Sequence, residues 1–413
     1  MIAYHFPPLA GSSGIQRTLR FVQQLPDFGW EPLVLTVRPQ AYERTSPDLL
    51  ADVPPATVVR RTFALDAARH LAIGGRHVAA WARPDRWRSW RLNGVRTGLR
   101  MIDAYAPDAL FSTYPIPTAH TIGAELHARS GLPWIADFRD PMAQDGYPAN
   151  PLTWQSFKQV EERAVHGAAR CLFTTPGAVR MYRQRYPDAA DRMLLLENGY
   201  DEESFAAVEP TLPAQPLNPG ATTLVHSGIV YPSARDPRPL FAALGAMKQA
   251  GELDRPRLVF RFRAAVHDDL LKQLAAQHGV DEYVQICPPV AYRDALAEML
   301  RADGLLLMQA ANCNDQVPAK AYEYLRARRP VLCLADPAGD TVRVLNDAGI
   351  ERSAALDDAT AIRNLLHAFA RGESGGWLAR DEAVVQASRR GRSATLAAVL
   401  DSLDPPAGRA ERP

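Results

Sequence analysis

The chain has 413 residues, a near balance of 47 basic and 46 acidic side chains, and 47% hydrophobic residues. This length exceeds one ordinary hydrophobic core and suits two domains of about 200 residues each. The near-neutral charge excludes a dedicated nucleic-acid binder, and the average composition excludes a disordered or fibrous chain.

The four cysteines and the hydropathy pattern indicate a cytoplasmic protein. Cys171, Cys287, Cys313 and Cys333 have no close spacing, which favours neither a disulfide framework nor a zinc site. The chain does not begin with a basic segment and a long apolar run, and no later stretch approaches about 20 apolar residues. We therefore expect a protein that is neither secreted nor membrane-spanning.

Short apolar runs of the kind that form buried parallel strands recur along the chain, with helix-like stretches between several of them. In the first half they cover residues 2–6, 33–37, 109–112, 134–137, 171–174 and 193–196. In the second half they cover residues 223–226, 258–262, 284–287, 304–308 and 331–334. This alternation, present twice, predicts an α/β fold of two Rossmann-like domains with parallel sheets.

The boundary between these domains is predicted in a stretch with prolines at positions 210, 213, 216 and 219, because proline continues neither a helix nor a central strand. The first domain is then 1–208 and the second 221–375. A last helical pattern covers 376–403, and 404–413 forms a polar tail.

A loop of small residues follows the first strand and leads into a helical pattern. It contains Gly11, Ser12, Ser13 and Gly14, with Arg17 one turn into the helix. Glycines allow a ligand to approach the backbone, and a helix N-terminus and an arginine favour an anion. The loop is predicted to bind a phosphate or acceptor hydroxyls. The alternative is a plain strand-to-helix turn.

A second group precedes and opens a helix in the second half. Asp315, Val317 and Pro318 lead into Lys320 and Glu323, which are three apart and share a helix face. A cation can bind a diphosphate, and carboxylates can accept hydrogen bonds from sugar or ribose hydroxyls. A sugar nucleotide needs such a set of groups, and the alternative is a solvated helix face with an incidental salt bridge.

Two residues near other strand ends are weaker candidates. Asp140 follows the run at 134–137, where the sites of open α/β sheets lie. It is predicted to face the site, with a salt bridge or a helix cap as the alternative. His120 is predicted to be structural.

The strongest local charge bias lies between residues 69 and 100, with eight arginines, three tryptophans and a single acid. Arginines attract anionic headgroups and tryptophans favour the membrane interface. Arg86, Trp87, Arg88, Trp90 and Arg91 are therefore predicted to form a peripheral membrane patch. Nucleic-acid binding is disfavoured, and a solvated helix face is the alternative.

Four segments together resemble the retaining glycosyltransferases of family 4, which have the GT-B fold. They are residues 6–17, the Asn-Gly-x-Asp-like segment 196–205, the loop at 226–244, and 315–325. In the last segment, Asp315 and Glu323 match the spacing of the family's Glu-x7-Glu motif, and residues 317–320 and 323–325 are typical of a polysaccharide-biosynthesis subgroup. The resemblance implies an acceptor-binding domain, then a donor-binding domain across a cleft, and a last helix that packs back on the first domain.

The resemblance also implies the roles of the site residues. Gly228 and Arg235 are expected at the diphosphate of a UDP- or GDP-type donor, with Lys320, Glu323, Val317 and Pro318. Asp315 departs from the usual glutamate and reaches less far. The family needs no metal, and the sequence has no Asp-x-Asp triplet, so metal independence and no separate cofactor are predicted.

We thus expect a glycosyltransferase that retains the anomeric configuration, with a saccharide or lipid-linked acceptor. Three alternatives are a nucleotide-sugar epimerase, a non-catalytic sugar-nucleotide-binding scaffold, and an adaptor that works through the basic, aromatic patch.

Overall fold

A computed structural model describes residues 1–12, 14–72, 78–254 and 256–404. The chain divides into two units. The first unit is Met1–Glu197 together with the segment that starts at Arg389, and the second unit is Asn198–Ser388. Each unit is built around its own parallel sheet, which confirms the predicted α/β fold.

The first unit contains a seven-stranded parallel sheet in the order β3-β2-β1-β4-β5-β6-β7. Its strands are β1 Ile2–Ala3, β2 Val34–Val37, β3 Val59–Thr62, β4 Leu110–Thr113, β5 Trp134–Arg139, β6 Arg170–Phe173 and β7 Met193–Leu195. Every residue of β2 and β4 is buried, which is why they form unbroken apolar runs. The strand order changes direction at β1, which pairs with β2 on one side and β4 on the other.

Within the described residues, six helices follow these strands along the chain. They are α1 Gly14–Gln24, α2 Ala67–His70, α3 Trp90–Tyr105, α4 Pro117–Ser130, α5 Pro151–Gly167 and α6 Pro176–Arg185. A proline opens each of the last three. It is tolerated there because a backbone N–H at the first position of a helix has no intrahelical hydrogen-bond partner. The side chains of Asn150 and Thr175 cap α5 and α6 by accepting hydrogen bonds from backbone N–H groups.

The second unit contains a six-stranded parallel sheet in the order β10-β9-β8-β11-β12-β13. Its strands are β8 Thr222–Ser227, β9 Leu258–Arg263, β10 Val284–Cys287, β11 Gly304–Gln309, β12 Val331–Ala335 and β13 Ser353–Ala354. Here the order changes direction at β8, which pairs with β9 and β11.

In the described part of the second unit there are eight helices. They are α7 Glu202–Val208, α8 Arg238–Gln249, α9 Asp268–His278, α10 Tyr292–Arg301, α11 Lys320–Ala327, α12 Asp340–Asp347, α13 Ala359–Ala370 and α14 Asp381–Gln386. Helix α11 carries two residues of the predicted donor site, Lys320 and Glu323.

The division between the units falls between Glu197 and Asn198, earlier than the proline-rich stretch that was predicted as the boundary. Helix α7, which the prediction placed in the first domain, packs its Phe205 into the core of the second unit. Arg326 on α11 also pairs with Glu202 at 2.6 Å and Glu209 at 2.7 Å. These contacts attach α7 to the second unit before the prolines begin.

The predicted helix over 376–403 is two helices, α14 and α15 Arg389–Asp401. The chain is held at the break because Tyr200 N donates to Ala387 O at 3.2 Å and Ser388 Oγ donates to Val385 O at 2.7 Å. Helix α15 belongs to the first unit, and its Leu396 is fully buried in that core. Of the predicted tail, residues 405–413 lie outside the described residues.

Within the described ranges, no helix combines the length and the apolar character that a membrane span requires. The four cysteines are free thiols, and Cys171 and Cys333 are buried.

Candidate functional site

In open α/β sheets, ligands bind at the carboxyl ends of the strands where the strand order changes direction. In the first unit this point lies between β1 and β4, and in the second unit between β8 and β11. The predicted site segments follow β1, β5, β8 and β11 in the sequence. The fold therefore gives each unit one candidate site, and each is described on its own.

In the first unit, Arg17 forms a buried ion pair with Asp137 at the end of β5. Arg17 Nε and Nη2 donate to the two carboxylate oxygens at 3.0 and 2.9 Å, and Asp137 has no exposed surface. Arg17 also donates to the backbone oxygens of Leu196 and Glu197 at 3.0 and 3.1 Å. Thr113 Oγ1 donates to the same carboxylate at 2.8 Å.

This pairing gives Arg17 a structural role. Four of its contacts are made within the protein, so its guanidinium holds β5 and the chain after β7 together, and its role at a phosphate site stays a prediction. Removing one partner of such a buried pair strongly destabilises the protein, because the other charge is left buried and unpaired.

A different arginine, Arg139, lies at the predicted phosphate loop. A Cβ atom at Gly14 would lie 2.7 Å from Arg139 Nη1 and 2.6 Å from His5 Nδ1, so a larger residue there would displace these two side chains. His5 Nδ1 is 3.0 Å from Ser12 Oγ, which accepts a hydrogen bond from Gly14 N at 3.2 Å. Burial and Arg139 lower the pKa of His5 to about 4.

The other loop residues and Asp140 differ in exposure. Gly11 is exposed with a φ of 79°, a conformation that favours glycine. Ser13 lies outside the described residues. Asp140 follows β5 and is exposed. His120 is fully buried with Nδ1 2.8 Å from Ser112 Oγ, and burial lowers its pKa to about 4.

In the second unit, Gly228 lets the Lys320 amine approach the end of β8. Gly228 has a φ of 106°, and a Cβ there would lie 3.1 Å from Lys320 Nζ. Lys320 Nζ is 3.2 Å from Nε2 of the buried His226. The other nitrogen of His226, Nδ1, lies 2.9 Å from Leu306 O. A carbonyl only accepts, so Nδ1 carries the proton and Nε2 accepts from the ammonium.

Arg235 contributes a second cation to this site. Its Nη1 donates to Ile229 O at 2.9 Å, and its guanidinium lies 5.3 Å from the ring centre of Tyr231. Its buried Nε has no hydrogen-bond partner among the described residues. Burial and the nearby Arg235 lower the pKa of Lys320 to about 7, against the opposing effect of Glu323. Neither cation forms an ion pair with a carboxylate of the described chain, which leaves their charges available to an anion.

Two tyrosines that the sequence did not indicate hold this site in place. Tyr292 OH donates to Glu323 Oε1 at 2.8 Å. Tyr324 is fully buried, and its hydroxyl accepts a hydrogen bond from Ser227 N at 3.0 Å, which fixes α11 to the end of β8. No spacing signal could have identified them, because their partners come from other elements.

The remaining predicted donor residues do not form one cluster. Val317 is buried in the core beneath the loop, and Pro318 is buried beside it, so these two side chains support α11. Asp315 lies on the exposed part of the loop. The loop is anchored where Asn314 O accepts from Asp340 N at 2.7 Å.

The predicted membrane patch is not one surface. Trp90 is fully buried, and its Nε1 donates to Thr62 Oγ1 at 2.8 Å. Trp87 is half-buried against the same core, where its Nε1 donates to Ala41 O at 3.1 Å. These two tryptophans belong to the core because they lie on the inner side of the segment that opens α3.

The arginines of the predicted patch also form hydrogen bonds or ion pairs within the protein. Arg86 Nε donates to the buried Asp66 at 2.8 Å, and Arg91 pairs with Glu125 at 2.8 Å. Arg88 is exposed and donates to a backbone oxygen. Trp81, which is 52% exposed, is the tryptophan of this stretch that does face outward.

A cavity of about 700 Å³ lies elsewhere, at the amino ends of the first sheet, with Met1, Trp30, Leu110 and Leu400 in its lining. It is far along the strands from the carboxyl ends, where sites of such sheets occur. Across the described ranges, no group of three or more His, Cys, Asp or Glu residues could hold a metal ion.

Comparisons with known proteins agree with this architecture. Residues 13–199, which lie almost entirely in the first unit, match the sequence profile of a glycosyl transferase 4-like domain. No curated protein matches the chain at a significant level.

Solved structures match almost the whole chain. A glycosyltransferase from Rickettsia africae superposes with a TM-score of 0.65 at 10% identity, over 98% of each chain. Sucrose-phosphate synthase from Thermosynechococcus elongatus gives 0.63 at 14% identity, over 97% of each chain. HepE from Anabaena, in complex with UDP, gives 0.63 at 13% identity, over 96% of this chain and 98% of HepE. These likenesses identify the fold as GT-B.

Proposed function

We propose that the chain is a glycosyltransferase that moves a sugar from a nucleotide-sugar donor to a saccharide or lipid-linked acceptor, in polysaccharide or glycoconjugate assembly. The observation that carries this proposal is the cation pair of the second unit. Lys320 and Arg235 have no carboxylate partner among the described residues and lie where an open α/β sheet binds its ligand. The diphosphate of a donor supplies the missing negative charge.

The chemistry follows from these charges. When the bond between sugar and diphosphate breaks, negative charge grows on the departing phosphate, and preorganised cations stabilise that charge. Lys320 and Arg235 take this role, while Glu323, held by Tyr292, accepts hydrogen bonds from donor hydroxyls. We propose that transfer proceeds with retention and without a metal, as in the family that the sequence resembles, since the two side chains supply the positive charge.

The donor base is proposed from one relative. HepE has been solved with UDP and with UDP-glucose, which makes a UDP-linked sugar the first donor to test and GDP-linked sugars the second. We further propose peripheral contact with a membrane, now limited to the exposed Trp81 and Arg88.

The first experiment is a thermal-shift screen with UDP, GDP, ADP, TDP and their sugar conjugates. A ligand at about a hundred times its dissociation constant stabilises the folded state by about 2.7 kcal/mol. Lys320→Ala and Glu323→Ala are expected to reduce the shift, and Lys272→Ala, which changes an exposed lysine of α9, is the matched control. No shift with any sugar nucleotide contradicts the proposal.

Turnover separates transfer from its alternatives. The preferred nucleotide sugar is incubated with a saccharide or lipid-linked acceptor, and the product linkage is read by NMR. A new glycosidic bond with the donor's anomeric configuration is the expected result. Isomerised or hydrolysed donor without acceptor indicates an epimerase, and tight binding without turnover indicates a scaffold; either outcome overturns the proposal.

A further inference from the structure

The first unit contains a partly buried cation, Arg139, whose charge is attracted by two neighbouring acids, Asp137 and Asp140. Its side chain makes one described hydrogen bond, from Nη1 to Tyr114 O at 3.2 Å. Of its two neighbouring acids, Asp137 is already paired with Arg17, and Asp140, the next residue, is exposed. No ion pair joins Arg139 to a carboxylate in the part of the chain that the structure describes. Most of its donor capacity is therefore unused.

The backbone and the neighbours of Arg139 direct it to one place. Arg139 has a φ of 61°, a left-handed conformation that costs energy for a residue other than glycine. Its guanidinium then lies beside Gly14, next to the His5 imidazole. Ser12 Oγ, 3.0 Å from His5 Nδ1, completes the group. These residues follow β1 and β5, at the carboxyl ends of the first sheet.

Burial of the Arg139 guanidinium costs desolvation energy, which the attraction of Asp137 and Asp140 offsets only in part, since the net shift of its pKa is downward. His5 is neutral near pH 7 and donates no second charge. A single guanidinium with hydroxyl and imidazole neighbours fits one phosphate group, which arginine can bind through two parallel hydrogen bonds.

We propose that Arg139, His5 and Ser12 form a binding site for a phosphate group on the acceptor, so that the acceptor is a phosphorylated saccharide or a lipid phosphate. The inference rests on the proposed glycosyl transfer, because it assigns the acceptor. This acceptor site differs from the donor site in two ways. Its residues all belong to the first unit, and it contains one cation where the donor site contains two.

The test uses the full-length protein and paired probes. Glucose 6-phosphate is compared with glucose, and a short-chain prenyl monophosphate is compared with the prenyl alcohol, by calorimetric titration. In each pair, the compound that carries the phosphate is expected to bind, and the compound that lacks it is expected not to bind. Whichever phosphate binds more tightly identifies the source of the phosphate. Equal binding of the neutral partner, or no binding of either phosphate, overturns the proposal.

Arg139→Asn removes the charge but keeps a residue that tolerates a left-handed backbone. Phosphate affinity is expected to fall about tenfold to a hundredfold, as for a lost hydrogen bond to a charged group. Arg100→Asn on the exposed face of α3 is the control. If Arg139→Asn fails to fold, Gly14→Ala tests the same site, since its Cβ displaces the guanidinium and the imidazole.

Donor binding is measured on the same variants. Unchanged sugar-nucleotide affinity with weakened phosphate binding supports an acceptor site in the first unit. If Arg139→Asn instead weakens sugar-nucleotide binding and leaves the phosphate probes unaffected, Arg139 serves the donor and the proposal is wrong. If no sugar nucleotide binds the unaltered protein, the proposed function fails, whatever the phosphate probes show.

Discussion

Donor binding is expected to weaken as the pH rises through 7, because the amine of Lys320 must be protonated to hold the diphosphate. Its pKa in the free protein is about 7, lowered first by burial and then by Arg235, while Glu323 opposes the shift. A bound diphosphate places negative charge beside the amine and raises this pKa again. Affinity is therefore full below pH 7 and declines above it.

The size of the effect follows from the protonated fraction. With a pKa of about 7, about nine-tenths of the free protein carries the charge at about pH 6 and about one-tenth at about pH 8. Affinity should fall about tenfold between these values, or about 1.4 kcal/mol. The neighbouring His226 does not add to the slope, because burial and Lys320 hold its pKa well below the ordinary value.

The assay is calorimetric titration with an intact sugar nucleotide, whose diphosphate does not ionise in this range, in two buffers of different ionisation enthalpy. Near pH 8 the complex should take up almost one proton. Lys320→Met, which replaces the amine by an uncharged side chain of similar length, should bind weakly at every pH. A flat affinity profile without proton uptake in the unaltered protein, or an unchanged slope in Lys320→Met, refutes the reasoning.

Two further predictions concern stability and the membrane surface. Arg17→Met should lower the free energy of unfolding, measured in urea, by about 3–5 kcal/mol, because it leaves the buried Asp137 carboxylate unpaired. Recovery of this stability in the double variant with Asp137→Leu would support the pairing. A decrease in the free energy of unfolding of less than about 1 kcal/mol in Arg17→Met would contradict it. Trp90→Ala should cost about 3–5 kcal/mol as a cavity in the core, whereas Trp81→Ala should change stability by less than about 0.5 kcal/mol. If Trp81→Ala binds anionic vesicles as strongly as the unaltered protein, the membrane proposal is wrong.

The sequence predicted most of the strands because they are buried on both faces and form apolar runs. It missed β3, whose Val-Arg-Arg-Thr sequence carries two arginines at the sheet edge, and β13, which has only two residues. The last helical pattern was read as one helix because amphipathic spacing continues from α14 into α15. The break depends on a contact with Tyr200, which lies far away in the sequence and carries no local signal.

The candidate sites were predicted unevenly for a similar reason. Lys320 was identified because a basic residue that opens a helix is a local feature, and Gly228 was identified because its segment resembles one of the glycosyltransferase family. Arg17 and Trp90 have the residue types of a binding surface, but their partners make them core residues. The partner of Arg17 lies 120 positions away. Composition alone does not distinguish a buried arginine from one that is available to a ligand.

The number of available cations at each site suggests which ligand it suits. Each unit brings basic side chains to the point where its strand order changes direction. In the second unit, Lys320 and Arg235 lack carboxylate partners among the described residues, and two positive charges match the two phosphates of a nucleotide diphosphate. In the first unit, Asp137 neutralises Arg17, and Arg139 supplies one charge. The same fold thus suits a diphosphate in one unit and a single phosphate in the other, because one buried carboxylate removes a cation from the first site.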